Sequence, residues 1–178
     1  MPLYQRLLQR IRGSAWQPAV IFVDGFGILH PRRCGSASHL GVLEGVVTVG
    51  VAKTLLAEDG LRERQVRAAA REGSTAPRHE EGWARELEEA YPGVRIQCLR
   101  GVSTSELLGA AVSGHAGSLR PVYVSIGHGM GLEAAVALTL QCSRHRIPEP
   151  IRQSDQRARD LARRWAADPP DPCPSHSL

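Results

Sequence analysis

The spacing of apolar and polar side chains divides the first third of the chain into short elements. Apolar positions recur with helical spacing over 3–12, which predicts a helix with one apolar face. Continuous apolar runs at 19–23 and 46–52 predict two buried strands, and the stretch 34–43 between them predicts a short helix. A strand–helix–strand order favours parallel pairing of the two strands.

The second half of the chain predicts a strand pair followed by two helices. Apolar runs at 106–114 and 121–126 flank a short polar turn and predict the two strands. Helical spacing predicts one helix over 131–144 and a last helix over 153–165. Residues 166–178 are rich in proline, which predicts a disordered tail.

Residues 61–101 carry weaker signals than the rest of the chain. The segments 61–72 and 80–91 are rich in arginine and glutamate, which is typical of exposed helices. We therefore predict a divergent surface insertion over 61–101, with an added nucleic-acid contact as the alternative.

The amino-acid composition indicates the general class of protein but does not indicate a function. The 178 residues, 42% of them apolar, suit one domain with a core of its own. A net charge of +4 is compatible with a polyanionic partner and equally with an ordinary basic surface. The four cysteines show no metal-binding spacing, and no signal-peptide pattern or apolar run of membrane-spanning length is recognisable in the sequence. These features predict an intracellular protein with reduced thiols and no membrane association.

The strongest candidate for chemistry follows the first predicted strand. That strand delivers the carboxylate of Asp24 to its end, and Gly25 and Gly27 then allow a tight turn close to a ligand. His30 and the pair Arg32–Arg33 come next. An acid, a glycine turn and a basic rim could together hold a metal ion and a phosphate. The alternative is that Asp24 only starts the bend.

Two further candidates lie at predicted strand ends. Lys53 follows the second strand, and it is the single lysine among 22 basic residues. A lysine retained where arginine is otherwise used indicates a need for its compact ammonium, although chance retention explains it too. His128 follows the strand at 121–126, where Gly127 and its neighbours could offer backbone amides to a phosphate. A histidine at this place could activate water, or it could cap or pack the following helix.

Six short motifs of the chain resemble, in the same order, those of the endonuclease V family. They are Asp24-Gly25-Phe26-Gly27, His30-Pro31-Arg32, Ala37-Ser38-His39-Leu40-Gly41, Val49-Gly50-Val51-Ala52-Lys53, Ser125-Ile126-Gly127-His128 and Arg146-Ile147-Pro148-Glu149-Pro150-Ile151-Arg152. The resemblance covers about residues 15–60 and 105–157, and it is specific as a set. Gly129 and Gly131 depart from the family, which usually has arginine and serine at these two positions.

The resemblance implies an α/β fold of the ribonuclease H-like type, a mixed sheet flanked by helices, over residues 1–165. It also implies an endonuclease that depends on Mg²⁺, with Mn²⁺ as a substitute. Its reaction would be hydrolysis of a phosphodiester 3′ to inosine in RNA or deoxyinosine in DNA. The expected partner is a single-stranded nucleic acid carrying that base. The expected form is a monomer in the cytoplasm and nucleus, the nucleolus included.

The family pattern further implies roles for individual residues. Asp24 would hold the metal ion, Lys53 would neutralise a phosphate oxygen, and His128 would assist the attacking water. Asp155, on the last predicted helix, could join the metal site, although an exposed helix acid fits it nearly as well. The substrate would contact Gly25, Gly27, His30, Arg32, Arg33 and Gly127.

The start of the chain matches the family only after its opening strands, so we expect an N-terminally truncated fold. An aspartate on the family's first strand and a glutamate on a later segment would then have no counterpart. No other carboxylate precedes Asp24 in this sequence. Two hypotheses follow: an inosine-dependent endonuclease, or a non-catalytic truncated form that binds nucleic acid weakly at most.

Overall fold

Five strands form one mixed sheet within residues 2–72, 81–114 and 117–167, the part of the chain that the computed structural model describes. The strands are β1 (Ile21–Asp24), β2 (Thr48–Ala52), β3 (Arg95–Arg100), β4 (Leu107–Ser113) and β5 (Val122–His128). Their order is β1-β2-β5-β4-β3, in which β1 and β2 are parallel and the other neighbours are antiparallel. The predicted parallel pair and the later strand pair are both confirmed.

The described residues also form six α-helices, which lie close to the predicted ranges. They are α1 (Pro2–Ile11), α2 (Ser36–Glu44), α3 (Glu63–Glu72), α4 (Gly82–Ala90), α5 (Leu132–Gln141) and α6 (Glu149–Ala167). α6 begins earlier than predicted because Pro150 is tolerated in the first turn of a helix. The first two residues of the predicted tail belong to α6, and the rest lies outside the described residues. In the part of the chain that is described, no helix has the length and apolar content needed to cross a membrane.

Helices cover both faces of the sheet. Successive side chains of β2 point to opposite faces, and Val49 and Val51 enter a core with Val136 of α5 and Ile151 of α6. On the other face, Ala52 of β2 packs in a second core that contains Val66 of α3. α2 lies on this second face, where Thr48 Oγ1 donates a hydrogen bond to Ala37 O at 2.8 Å. The predicted α/β fold, a mixed sheet flanked by helices, is confirmed.

The described parts of this segment, residues 61–72 and 81–101, contribute to the sheet and its cores, which contradicts the prediction of a surface insertion. Val66 of α3 and Ile96 and Leu99 of β3 are each at most 3% exposed. β3 was not predicted because it is an edge strand with arginine at both ends, and such strands resemble exposed segments in composition. The described residues of the segment therefore supply an edge strand of the sheet and part of the apolar core.

Leu99→Ala tests this assignment. The substitution removes a buried side chain from the second core, so we expect the free energy of unfolding to fall by about 2–5 kcal/mol. Urea denaturation measures the change. Val102→Ala is the control, because Val102 is 73% exposed just after β3, and it should change the value by less than about 0.5 kcal/mol. Equally small effects at both positions would mean that β3 is a surface addition after all.

Candidate active site

Asp24, Lys53 and Asp155 meet at one edge of the sheet. Because β1 and β2 are parallel, their carboxyl ends place Asp24 and Lys53 side by side. Lys53 Nζ donates hydrogen bonds to Asp24 Oδ2 at 2.7 Å and to Asp155 Oδ2 at 2.7 Å. One ammonium therefore bridges two carboxylates that are far apart in the sequence.

The first turns of α6 bring Asp155 to this edge. Ile151 is buried in the first core, and Asp155 follows it by about one helical turn, so both lie on the side of α6 that faces the sheet. Glu149 accepts two hydrogen bonds of 2.7 Å from the guanidinium of Arg152. Hydrogen bonds from Arg152 and then from Gln153 lower the pKa of Glu149 to about 2. This carboxylate also lies at the helix N-terminus, where negative charge is favourable.

The Asp24–Lys53–Asp155 cluster is open to solvent. The three side chains are 43%, 37% and 33% exposed, respectively. Partial burial alone would lower the pKa of Lys53, but the hydrogen bonds and charges of Asp155 and Asp24 outweigh it and raise the pKa above 10.5. Lys53 is therefore charged at neutral pH, within reach of a ligand at the sheet edge.

The described residues contain no cluster of three or more histidine, cysteine, aspartate or glutamate side chains suited to a metal ion. The acidic part of the site in the described chain thus consists of Asp24 and Asp155. Both were predicted as metal ligands, Lys53 was predicted beside them, and the structure brings all three together.

Gly27 serves the packing of the turn that follows β1. A Cβ atom at this position would lie 1.8 Å from Ile126 O, and the Gly27 N–H donates to Ser125 Oγ at 2.8 Å. Gly27 is buried against β5, so it has no open surface at which a substrate could make the predicted contact. Gly25 is half-buried and lies directly after Asp24, beside Ser36.

His128 lies at the other end of the sheet, which corrects the prediction that it acts with Asp24. Thr48 pairs with His128 and Val49 pairs with Ile126, so Gly127 is the extra residue of a β-bulge. His128 therefore lies beside the start of β2, about 10 Å along the strand direction from the carboxyl end that carries Asp24.

Both His128 and Gly127 have a role in packing between β5, β2 and α2. A Cβ on Gly41 of α2 would lie 2.3 Å from the Cβ of His128, so the histidine fills the space above this glycine. Gly127 is buried, and a Cβ there would lie 2.4 Å from Thr48 O. The predicted water activation by His128 at the Asp24 site is wrong, and Gly127 offers no open surface to a phosphate.

The predicted basic rim divides into two parts. His30 is half-buried, its Nδ1 accepts a hydrogen bond from the Arg32 backbone N–H at 3.2 Å, and the Arg32 side chain is exposed. Arg33 instead forms ion pairs with three carboxylates. They belong to Glu58 at 3.8 Å, Asp59 at 3.4 Å and Glu106 at 3.5 Å. Arg33 thus fixes neighbouring loops, whereas His30 and Arg32 face the surface.

Asp59 is a structural residue that the sequence analysis missed. Its carboxylate accepts hydrogen bonds from the backbone and side chains of Ser103 and Thr104, which hold the pKa of Asp59 far below its usual range. Together with Arg33 it ties the loop after β1 to the loop between β3 and β4. The only local sequence feature here was the pair Asp59–Gly60, which is typical of a turn. Such a pair does not indicate which residues the Asp59 carboxylate contacts.

Comparison with known proteins gives the class of this fold and site. The family model described as Endonuclease V matches residues 1–156, which is most of the chain. The chain therefore belongs to the Endonuclease V family, as the motifs predicted. It is 39% identical to Endonuclease V of Homo sapiens over 182 residues and 40% identical to that of Mus musculus over 166 residues.

Solved structures of the family have the same fold. A crystal structure of human ENDOV superposes with a TM-score of 0.76 at 40% identity, covering 93% of this chain and 63% of that one. Endonuclease V of Ciona intestinalis, crystallised with a 24mer DNA containing an inosine followed by a ribo-adenosine, gives a TM-score of 0.74 at 31% identity. That match covers 92% of this chain and 63% of the other.

The chain spans about half the length of the curated relatives that it matches. It covers 56% of the human protein and 44% of the mouse protein. The activity and substrates of the complete relatives are therefore taken up below as proposals for this chain.

Gly27→Ala tests whether this glycine is required for packing. Backbone atoms surround the position and cannot move aside like a flexible side chain, so we expect a loss of about 1–3 kcal/mol in unfolding free energy. The matched control is Gly82→Ala, where an added Cβ meets no atom within 4 Å. Thermal and urea denaturation compare the two variants. A stable Gly27→Ala protein would instead indicate that the glycine is retained for a ligand.

Proposed function

We propose that this chain carries part of the active site of an endonuclease that hydrolyses a phosphodiester 3′ to inosine in RNA or deoxyinosine in DNA. The observation that carries the proposal is the position of Lys53 Nζ, 2.7 Å from carboxylate oxygens of both Asp24 and Asp155. Two acids around one cation form a site that favours positive charge, and the Ciona intestinalis relative bound to inosine-containing DNA supports the substrate class.

The residues at this edge fit a divalent metal ion, which we propose to be Mg²⁺ with Mn²⁺ as a substitute. Mg²⁺ takes oxygen ligands and usually binds one or two protein carboxylates, with water and phosphate oxygens completing its coordination. Asp24 and Asp155 would hold it. When bound, it would supply Lewis acidity to the phosphoryl group.

The residues of the chain then have distinct tasks in hydrolysis. Water adds to phosphorus, the bond from phosphorus to the leaving oxygen breaks, and that oxygen takes up a proton. The Lys53 side chain is long and flexible enough to leave the carboxylates and pair with a phosphate oxygen. His30 and Arg32 lie on the loop that follows Asp24, which suits them to contact the nucleotides next to the cleaved bond.

The second candidate function is a non-catalytic form that binds nucleic acid weakly. It is supported by the small size of the acidic set, since the described residues offer two carboxylates and no third metal-ligand side chain beside them. Phosphoryl-transfer sites commonly use two metal ions, for which two carboxylates are few.

Cleavage of a labelled single-stranded oligonucleotide with one inosine separates the two candidates. With Mg²⁺ we expect a cut 3′ to inosine that EDTA abolishes. Asp24→Asn and Asp155→Asn should each lower the rate by at least about 100-fold, because stabilisation of transition-state charge by a metal is worth several kcal/mol. Asp160→Asn, a surface change on the same helix, should leave the rate unchanged. Folded wild-type protein that binds the oligonucleotide without cutting it would favour the non-catalytic form.

Lys53→Met tests the charge of the site without a cleavage assay. Two unit charges about 4 Å apart interact by about 1 kcal/mol in a water-like environment, so the ammonium of Lys53 would disfavour a divalent cation at this separation by roughly 2 kcal/mol. We therefore expect the variant to bind Mn²⁺ up to about 30-fold more tightly, as measured by electron paramagnetic resonance of free Mn²⁺. Arg163→Met removes a charge that is paired with Asp160 and should leave Mn²⁺ affinity unchanged. Equal affinity of the Lys53→Met variant and wild type would place the cation elsewhere.

A further inference from the structure

The guanidinium of Arg146 holds the backbone behind Lys53. Arg146 Nη2 donates hydrogen bonds to Lys53 O at 3.0 Å and to Pro121 O at 2.9 Å. Arg146 Nε donates a third, to Arg120 O at 3.1 Å. One side chain therefore joins the end of β2, the start of β5 and the loop that precedes α6.

The contact of Arg146 with Lys53 lies just beyond the last pair of the ladder between β2 and β5. The ladder between β2 and β5 ends at the pair Ala52–Tyr123. Pro121 directly precedes β5 and has no N–H to donate. Beyond the ladder, the guanidinium donates hydrogen bonds to the carbonyls of Lys53 and Pro121. Nη2 donates to Lys53 O and Pro121 O while Nε donates to Arg120 O, and the single nitrogen of a lysine ammonium cannot occupy both positions.

The surroundings of Arg146 indicate that it does not serve as a free surface charge. The residue is half-buried, and burial, together with the positive charges of Arg120 and Arg67, lowers the pKa of Arg146 below its usual value. Its recorded hydrogen bonds all go to backbone carbonyls. A charged donor directed at backbone oxygens makes strong hydrogen bonds that fix the position of the chain.

We propose that Arg146 is a positioning residue of the site: it fixes the backbone of Lys53 and thereby holds Nζ between Asp24 and Asp155. Arg146 also lies three residues before α6, so the same hydrogen bonds tie the helix that carries Asp155 to the strand end that carries Lys53. The catalytic consequence rests on the proposed function, whereas the positioning itself does not.

The single lysine of the chain allows this position to be observed directly. Protein labelled with ¹³C at lysine Cε has one lysine signal, that of Lys53. In the wild type we expect slow side-chain motion in ¹³C relaxation, because both carboxylates hold the ammonium. Arg146→Met should give Lys53 the mobility of a free lysine side chain. Arg144→Met, the same change two residues away at an exposed position, should leave the signal unchanged.

A second variant separates positioning from overall stability. Arg146→Lys keeps the charge and most of the aliphatic stem but loses the planar guanidinium, so we expect a folded protein in which Lys53 is still mobile. This variant has two lysine signals, and that of Lys53 is the one that disappears when Lys53→Met is added. The amide spectrum of each variant reports folding independently. A Lys53 signal as ordered in Arg146→Lys as in the wild type would overturn the proposal, as would an ordered signal in folded Arg146→Met. If Arg146→Met does not fold, Arg146→Lys decides the outcome.

The cleavage assay adds a readout of the chemical consequence. If the chain cleaves inosine-containing oligonucleotides, Arg146→Lys should lower kcat by about 10- to 100-fold with little change in KM, because a small misplacement of a catalytic group has effects of this size. A raised KM with unchanged kcat would make Arg146 a substrate contact instead and would overturn the positioning role. If the wild type does not cleave, the proposed function fails, while the mobility of Lys53 still decides the role of Arg146.

Discussion

The close approach of the turn after β1 to the backbone of the sheet sets the geometry of the site. Gly27 packs directly against Ile126 of β5, and Gly50 of β2 leaves room for the turn beneath it. Because neither glycine has a side chain, the turn packs directly against the backbones of β5 and β2. Asp24 therefore stays at the end of β1, beside the end of β2, and the chain continues across the face of the sheet as a fixed loop.

Two ionic clusters on this framework have different physical characters. Arg33 lies among three carboxylates and joins loops, and the Asp59 carboxylate beside it is only 7% exposed. Such a cluster specifies structure, since leaving either partner unpaired would be costly. The cluster of Lys53 with Asp24 and Asp155 is exposed by a third or more in each side chain, where an ion pair contributes little stability. This contrast favours a ligand-binding role for the second cluster and a structural one for the first.

The sequence indicated most of the elements because their apolar spacing is local. Asp24 and Lys53 could be placed together because two strands joined by a helix pair in parallel, and Asp155 was found through the family motif before it. The error at His128 arose from non-local features: β5 runs antiparallel to β2, and a bulge at Gly127 shifts the register. β3 was missed because an edge strand carries charged residues, and the partners of Arg33 and Arg146 lie on distant segments that no local pattern indicates.

The bridge at Lys53 also determines the sign of the charge at this edge of the sheet. Two carboxylates and one ammonium leave one negative charge in excess, which repels a phosphate that approaches alone. A divalent cation held by the same carboxylates would reverse the sign and leave one positive charge in excess. Under the proposed function, cation and nucleic acid would thus each strengthen the binding of the other, and the affinity of the chain for a polyanion would follow the supply of divalent cations.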